Sequence, residues 1–537
     1  MNKRDEEILR VLKRELKNLE KMTLSDPLSK KRKISPFFVS ITLKDSSSYQ
    51  SELSEGATII SLKRDPDIKT RVQIVVGDYG RGCKGVMINP FFPEDRNLNV
   101  FTKFLRRDAN ESFYEAVKEL QYSITDSIGV PDEFNSFSFF SKEKKSKYYS
   151  NKIRFQIKKI KEMEVMLKEL SKKFIHPEIY SSEIGLKANK TRRYFINSEG
   201  TEIVDDCLTS CINLEAIVRD ETNLLLENGK TFNVRDPKNF PSKENLEKTI
   251  KNIIKESIKI KNSPIQEAGI YPTLMDGINC IVNWHEAIGH GLEAQRTSDD
   301  EDEDEDNRDL TFYKKIGERI APDFIKVTEN PRLKGYYGSY EYDEEGIPSQ
   351  ETILVENGIL KNYLHSRSTT GKFTKKYKIK TKSNGHSRSE KAEDPVPRMG
   401  VLKVESKRVF PFKKLKEMFI EECKRKKAPY GILLQDTWGG FTLGGYFNAF
   451  PKNIFKVYQN GKTERVRGIY ISSTPYQLLE KIEATSDEYS VSEGHCGAES
   501  GTVPFTGIGQ DAFFKSVEFG RIPREEYNQA YPLLLDI

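Results

Sequence analysis

Cysteine, histidine and tryptophan are all scarce in this chain: six, six and two in 537 residues. The cysteines, at positions 83, 207, 211, 280, 423 and 496, show no spacing of a small disulfide scaffold. Reduced thiols of a cytoplasmic protein are therefore expected. No apolar run approaches the ~20 residues that cross a bilayer, and the first residues lack the apolar centre of a secretory signal. No membrane association is expected. Charge of one sign is lacking too. With 87 Lys and Arg against 81 Asp and Glu, the net charge is +6, which gives no general warrant for nucleic-acid binding.

What is there is a polar but foldable composition. Charged residues make up 31% and aromatic residues 10%, enough Tyr and Phe to argue against general disorder. The length allows two or more domains. Ile8, Val11, Leu12, Leu16 and Leu19 share one face of a predicted N-terminal helix that docks on its own domain. A Lys-rich link at 29–35 leads into strand-like runs at 37–43, 58–63 and 72–76. The glycine-rich stretch at 80–85 formally matches a dinucleotide fingerprint, but the following Val86-Met87-Ile88-Asn89-Pro90 cannot open a helix, so a turn in β structure is predicted. The Lys- and Glu-rich stretch 142–173 lacks Pro and Gly and predicts one long helix. Asn228-Gly229, Asn357-Gly358 and Asn460-Gly461 predict hairpin turns. Helices are predicted at 241–261, with Leu246, Ile250, Ile253 and Ile254 apolar, and at 412–426. The class is α+β: an N-terminal sheet-plus-helices domain at 1–262, then a mostly antiparallel β domain at 263–537 that carries a His-Glu helix. An acidic insertion at 298–309, with eight consecutive carboxylates at 299–306, reads as a solvated loop.

The chemistry concentrates at His285-Glu286-Ala287-Ile288-Gly289-His290. Two imidazoles framing a carboxylate suit zinc: neutral imidazoles ligate the ion, and the carboxylate can act as base toward a metal-bound water. The spacing is unusual. Histidines four apart share a helix face, whereas these, five apart, diverge by about 140° on a regular helix. Both reach one ion only if the last turn opens, and Gly289 and Gly291 make that departure cheap. A buried helix with two hydrogen-bonded histidines is the plainer alternative. A catalytic zinc needs a third protein ligand. Glu293, His365, His386, His495 and Cys496 are the candidates, and spacing alone does not rank them. Glu293 could be a ligand or a carboxylate behind one. The segment holding His495 and Cys496 reads as a glycine-rich loop.

The stretch NWHEAIGHGLEAQ, residues 283–295, resembles a defining segment of the TldD/PmbA family of zinc metallopeptidases, also known as modulators of DNA gyrase. Similar too are the segment at 337–364, the Pro395-Val396-Pro397-Arg398-Met399 signature, Gly439-Gly440-Phe441 with Tyr446-Phe447, and Cys496-Gly497 followed by Val503-Pro504. The collinear likeness covers about 265–510 and is closest to the TldD-type, motif-bearing subunit. It implies zinc held by His285, His290 and Cys496, Glu286 as general base on zinc-bound water, and hydrolysis of short or unfolded peptides. It also implies a homo-oligomer or a heterodimer with a homologous TldE/PmbA-like subunit. Departures are Gln295 for the usual Asp, Thr328-Glu329-Asn330-Pro331 for an acidic pair, and Ala498-Glu499 for the usual Lys, none at the implied ligands. Arg398 is a candidate for a substrate or oxyanion contact, or else a structural ion pair, and Glu293 a further candidate at the substrate. Two other readings compete: a non-catalytic modulator or scaffold subunit, and a zinc hydrolase acting on a non-peptide amide.

Overall fold

A computed structural model describes residues 2–26, 29–79, 82–89, 97–126, 140–296, 310–377 and 381–523. The chain is a mixed α+β protein built on two sheets, of seven and twelve strands. The acidic run at 299–306 lies outside the described residues.

The seven-stranded sheet is dominated by long antiparallel partners. Pro36–Ser54 pairs with Ala57–Gly77 on one side and Ser181–Asn197 on the other, and Ser181–Asn197 pairs in turn with Glu202–Arg219. Alternation along Pro36–Ser54 sends Val39, Ile41, Leu43, Tyr49 and Leu53 to one face. Four helices cover that face. Lys3–Leu19 and Leu98–Asp126 pack on Ile41, Leu43, Val72 and Ile74. Ile157–Ser171 and Lys243–Lys261 pack on Ile184, Leu186, Ile212 and Leu214. The opposite face is polar and turns toward the second half of the chain. From it Lys44 donates to Glu344 at 2.9 Å, Arg193 to the Asp343 carbonyl at 2.6 Å, and Arg71 to the Glu344 carbonyl at 3.1 Å.

In the twelve-stranded sheet the pairings close a circuit of strands. Gly269–Met275 runs parallel to Tyr430–Leu443, which pairs with Tyr446–Tyr458, then Ile469–Ser473, then Gly501–Arg521, and that strand pairs back with Gly269–Met275. The helix Gly277–Trp284 starts directly after Gly269–Met275. Asp276 caps it, its carboxylate accepting from Asn279 N at 2.9 Å. The helix and the residues after it bury Ile281, Trp284, Ala287 and Ile288 in one cluster with Met275, Leu434, Phe447, Phe505 and Phe514.

Several expectations change. The stretch 142–173 is not one helix: Lys147–Tyr149 joins the sheet parallel to Glu202–Arg219, with Tyr149 donating to Glu202, and the helix is only Ile157–Ser171. The aromatic pair Tyr148-Tyr149 prefers the pleated surface over a solvated helix. A helix over Leu98–Asp126, absent from the sequence reading, carries a stripe of Phe101, Leu105, Ala109, Phe113, Ala116 and Leu120. The expected link at 29–35 is largely the strand Ser29–Ile34. Asn228-Gly229 lies inside the strand Leu225–Val234, because the turn is taken at 220–224, where Asp220 accepts from Thr222 N at 2.8 Å and Leu224 N at 3.0 Å. Asn357 and Gly358, at φ of 52° and 74°, do form the expected turn. The stretch after 81 is the strand Gly82–Asn89 rather than a nucleotide-binding helix start. No helix among the described residues is long and apolar enough to cross a membrane.

Candidate metal centre

Trp284 ends the α-helical part of its helix. The next five residues, His285–Gly289, form a π turn in which His290 N–H donates to the His285 carbonyl. A π turn takes an extra residue per turn, so residues five apart come back to the same side. This is the opening that the spacing demands. Gly289 contributes by its lack of a Cβ and not by an unusual φ: it sits at −56°, and a Cβ there would lie 2.0 Å from Met399 Sδ. Met399 is fully buried against the turn.

The third member arrives on the hairpin of Ile482–Ala498 and Gly501–Arg521, in which Cys496 faces Val503. The segment expected as a glycine-rich loop is thus a strand, with its turn confined to 498–501. Alternation sends the two neighbours apart. Cys496 Sγ lies 3.5 Å from His290 Nε2, whereas His495 hydrogen-bonds Tyr337 Oη at 2.9 Å and lines a cavity of about 950 Å³ on the other side of the hairpin. The rings of His285 and His290 stand at 88° with centroids 4.8 Å apart, and Phe505 backs His285 at 4.2 Å. One donor atom each from His285, His290 and Cys496 falls within 4.8 Å of the others, the one such three-residue group among the described residues. All three are buried.

His365 and His386 are elsewhere. His365 packs on Phe373 and bonds Thr369, His386 bonds Asn384, and burial pushes both imidazoles down to about 3. Burial likewise pushes His495 down to about 4.

Behind the three donors lies a buried charge network. Glu293 Oε2 is 2.9 Å from His290 Nδ1 and accepts from Arg296 Nε at 2.9 Å, while Arg398 Nε lies 3.7 Å from Glu293 Oε1. Arg398 also donates to the Cys496 carbonyl and to Ser500 Oγ at 3.0 Å. Glu293 and Arg398, candidates for substrate contact, both have 0% exposure. They sit behind the cluster, committed to each other and to its backbone.

Burial alone would raise the Cys496 thiol, yet Arg398, His290 and His285 hold it well below its usual range. Burial alone would lower His290, yet Glu293 and Cys496 lift it to about 10. A thiolate, an imidazole and a buried carboxylate in line make a pocket that favours positive charge. Nδ1 of His285 is buried without a hydrogen-bond partner among the described residues. Two imidazoles and one thiolate are also the donor types of a zinc site with a place left for water. The residues fit such an ion.

Glu286 stands on the π turn between the two histidines and is 5% exposed. Its Oε2 accepts from Thr442 Oγ1 at 2.7 Å, and the same hydroxyl lies 3.0 Å from its backbone carbonyl. Sequence reasoning did not single out Thr442 or Arg296. Thr442 directly follows the glycine-rich Gly439-Gly440-Phe441, and Arg296 stands three residues past Glu293, so proximity to flagged motifs was the only available signal.

A family profile, the PmbA/TldA metallopeptidase C-terminal domain, matches residues 248–509. A metalloprotease of Methanocaldococcus jannaschii is 27% identical over 315 residues, which is 58% of this chain and 64% of that protein. A zinc metalloprotease TldD homolog of Saccharolobus solfataricus is 25% identical over 357 residues, 64% of this chain and 72% of that protein. The chain thus spans just under two thirds of the Methanocaldococcus protein, at 64%. Among solved structures, TldE from Thermococcus kodakarensis superposes with a TM-score of 0.58 at 15% identity, covering 90% of this chain and 97% of its own. A Thermotoga maritima structure named for modulation of a DNA gyrase gives 0.61 at 17%, covering 90% and 96%. These two likenesses speak to the fold.

Proposed function

Since this chain belongs to the PmbA/TldD family, we propose that it is a zinc-dependent peptidase in which His285, His290 and Cys496 hold the ion and Glu286 is the general base. Its substrates are short or unfolded peptides. The observation that carries this reading is a carboxylate fixed on the same π turn as two of the three donors yet not spent as a donor itself. A purely structural site has no use for a base in that position.

When bound, zinc supplies a Lewis acid that polarises an acyl oxygen and renders water acidic enough to attack near neutral pH. Glu286 takes a proton from the attacking water and hands it to the leaving amine. Glu293 accepts a hydrogen bond from His290 Nδ1–H and so leaves Nε2 for the ion, the usual service of a carboxylate behind a histidine ligand. Arg398 and Arg296 keep Glu293 ionised, and Arg398 favours the thiolate of Cys496. Past Leu434 the strand Tyr430–Leu443 has a single strand neighbour among the described residues, Tyr446–Tyr458. An extended peptide lying along its other edge would be held mainly through its backbone, with weak side-chain selectivity. The proposal extends to a cytoplasmic setting and to an assembly with a second copy or with a homologous TldE/PmbA-like subunit.

Metal analysis of the purified protein beside a Glu286→Gln variant, both assayed on a mixed pool of unfolded peptides, tests the reading. The expected outcome is about one zinc per chain in both, with cleavage by the parent alone. Zinc-free parent protein, or equal cleavage by the variant, overturns it.

A further inference from the structure

The strand Tyr430–Leu443 does more than border the centre. It crosses directly over Glu286, and two of its residues, two apart and so on one face, meet that side chain in complementary ways. At Gly440 a Cβ would stand 3.0 Å from Glu286 Cγ and 3.2 Å from Val282 Cγ1, so the absence of a side chain makes room for the glutamate stem. At Thr442 the hydroxyl reaches Oε2 at 2.7 Å and the Glu286 backbone carbonyl at 3.0 Å. Of these two acceptors the carboxylate oxygen is the nearer, and it accepts the hydrogen bond of the hydroxyl.

We propose that Thr442 is the positioning residue for Glu286: its hydroxyl fixes one carboxylate oxygen and leaves the other to face the attacking water, with Gly440 as the gap through which the stem passes. This rests on the reading of Glu286 as general base. A glutamate has three rotatable side-chain bonds, and a base acts only within hydrogen-bond reach of the proton it takes. A carboxylate free to swing on a π turn would spend much of its time out of reach. No other hydrogen bond to the Glu286 carboxylate is formed among the described residues, so the threonine has no understudy. A valine at 442 would keep shape and β-propensity while removing the donor. A serine would keep the donor and lose only a methyl group.

The test compares Thr442→Val, Thr442→Ser and Glu286→Gln with the parent for zinc content, kcat and KM on one peptide. Thr442→Val is expected to keep its zinc and its KM while kcat falls about ten- to a hundredfold. Thr442→Ser is expected to restore most of the loss. A merely structural threonine would disturb KM or metal content instead, or would not be rescued by serine, and either result overturns the proposal. A urea-unfolding cycle over Thr442→Val, Glu286→Ala and the double variant reads the contact without activity: non-additive midpoint shifts are expected, and additive ones sink it. The two readings fail separately. Full activity in Glu286→Gln removes the general base itself, whereas an inactive Glu286→Gln beside a fully active Thr442→Val removes only the positioning role.

Discussion

Glu293 has no exposed surface and faces three cationic or protonated groups, His290, Arg296 and Arg398. Burial would raise its carboxyl, but His290, Arg296 and Arg398 together hold it below its ordinary value, so it is a carboxylate in place. Glu293→Gln keeps the shape and removes the charge. Zinc affinity, read by competition with a chelator, is expected to drop about ten- to a hundredfold. Unchanged affinity would deny Glu293 its hold on His290. The variant also leaves two buried guanidiniums short of a carboxylate and should unfold at lower urea. At this scale the sequence was partly legible. Glu286 and the two histidines stand out by type and spacing, and Glu293 stands out as a carboxylate near His290, but its direction does not. That direction depends on the 3₁₀ turn His290–Leu292 and on Glu293 leaving it with an extended ψ of 114°. Cys496 lies 206 residues from His290, and only the hairpin register decides that it, and not His495, faces inward.

Elements carry a second kind of constraint. Met399 packs against the π turn and fills the space where Gly289 lacks a Cβ. Gly289→Ala should therefore overpack a buried contact and cost about 1–3 kcal/mol in urea unfolding. The double variant Gly289→Ala with Met399→Ala should recover part of that. If the single variant is as stable as the parent, Met399 is not what the glycine accommodates. The need for an opened turn was readable from the histidine spacing, since a regular helix cannot bring residues five apart together. The reason for the glycine was not, because Met399 is distant in sequence. The same limit explains the Asn228-Gly229 misreading. Local turn chemistry was right in kind, but Asp220 offers a better-capped turn a few residues earlier, and the Asn228 amide is used instead on the Ile253 carbonyl at 3.2 Å.

Across the whole molecule, the polar face of the seven-stranded sheet meets the acidic segment Asp343-Glu344-Glu345 of the second half. Alternation in the long strands announced one apolar face, but nothing local marked Lys44, Arg71 and Arg193 as converging on Glu344, because they come from three strands. Burial would raise the Glu344 carboxyl, but Lys44, Arg193 and Arg71 bring it down to about 2. Lys44 is itself pushed down by burial, with its attraction to Glu344 opposed by the two guanidiniums. Of this pair, the net favourable pull falls on the Glu344 carboxylate. A carboxyl lowered on folding stabilises the native state above its ordinary value near 4.5, and that contribution is lost as pH falls through the folded value near 2. A shift of that size is worth about 3 kcal/mol to order of magnitude. Asp343 and Glu345 next door are raised by burial and move the opposite way, so the parent's acid profile alone does not isolate Glu344. The difference between parent and Glu344→Gln does. Urea midpoints taken from pH 7 to pH 2 should show the parent more stable by a constant margin above about pH 5, most of it gone by about pH 2, where the native carboxyl is about half protonated. A margin that does not narrow would mean that the segment is held by shape and backbone hydrogen bonds, and not by the charge of Glu344.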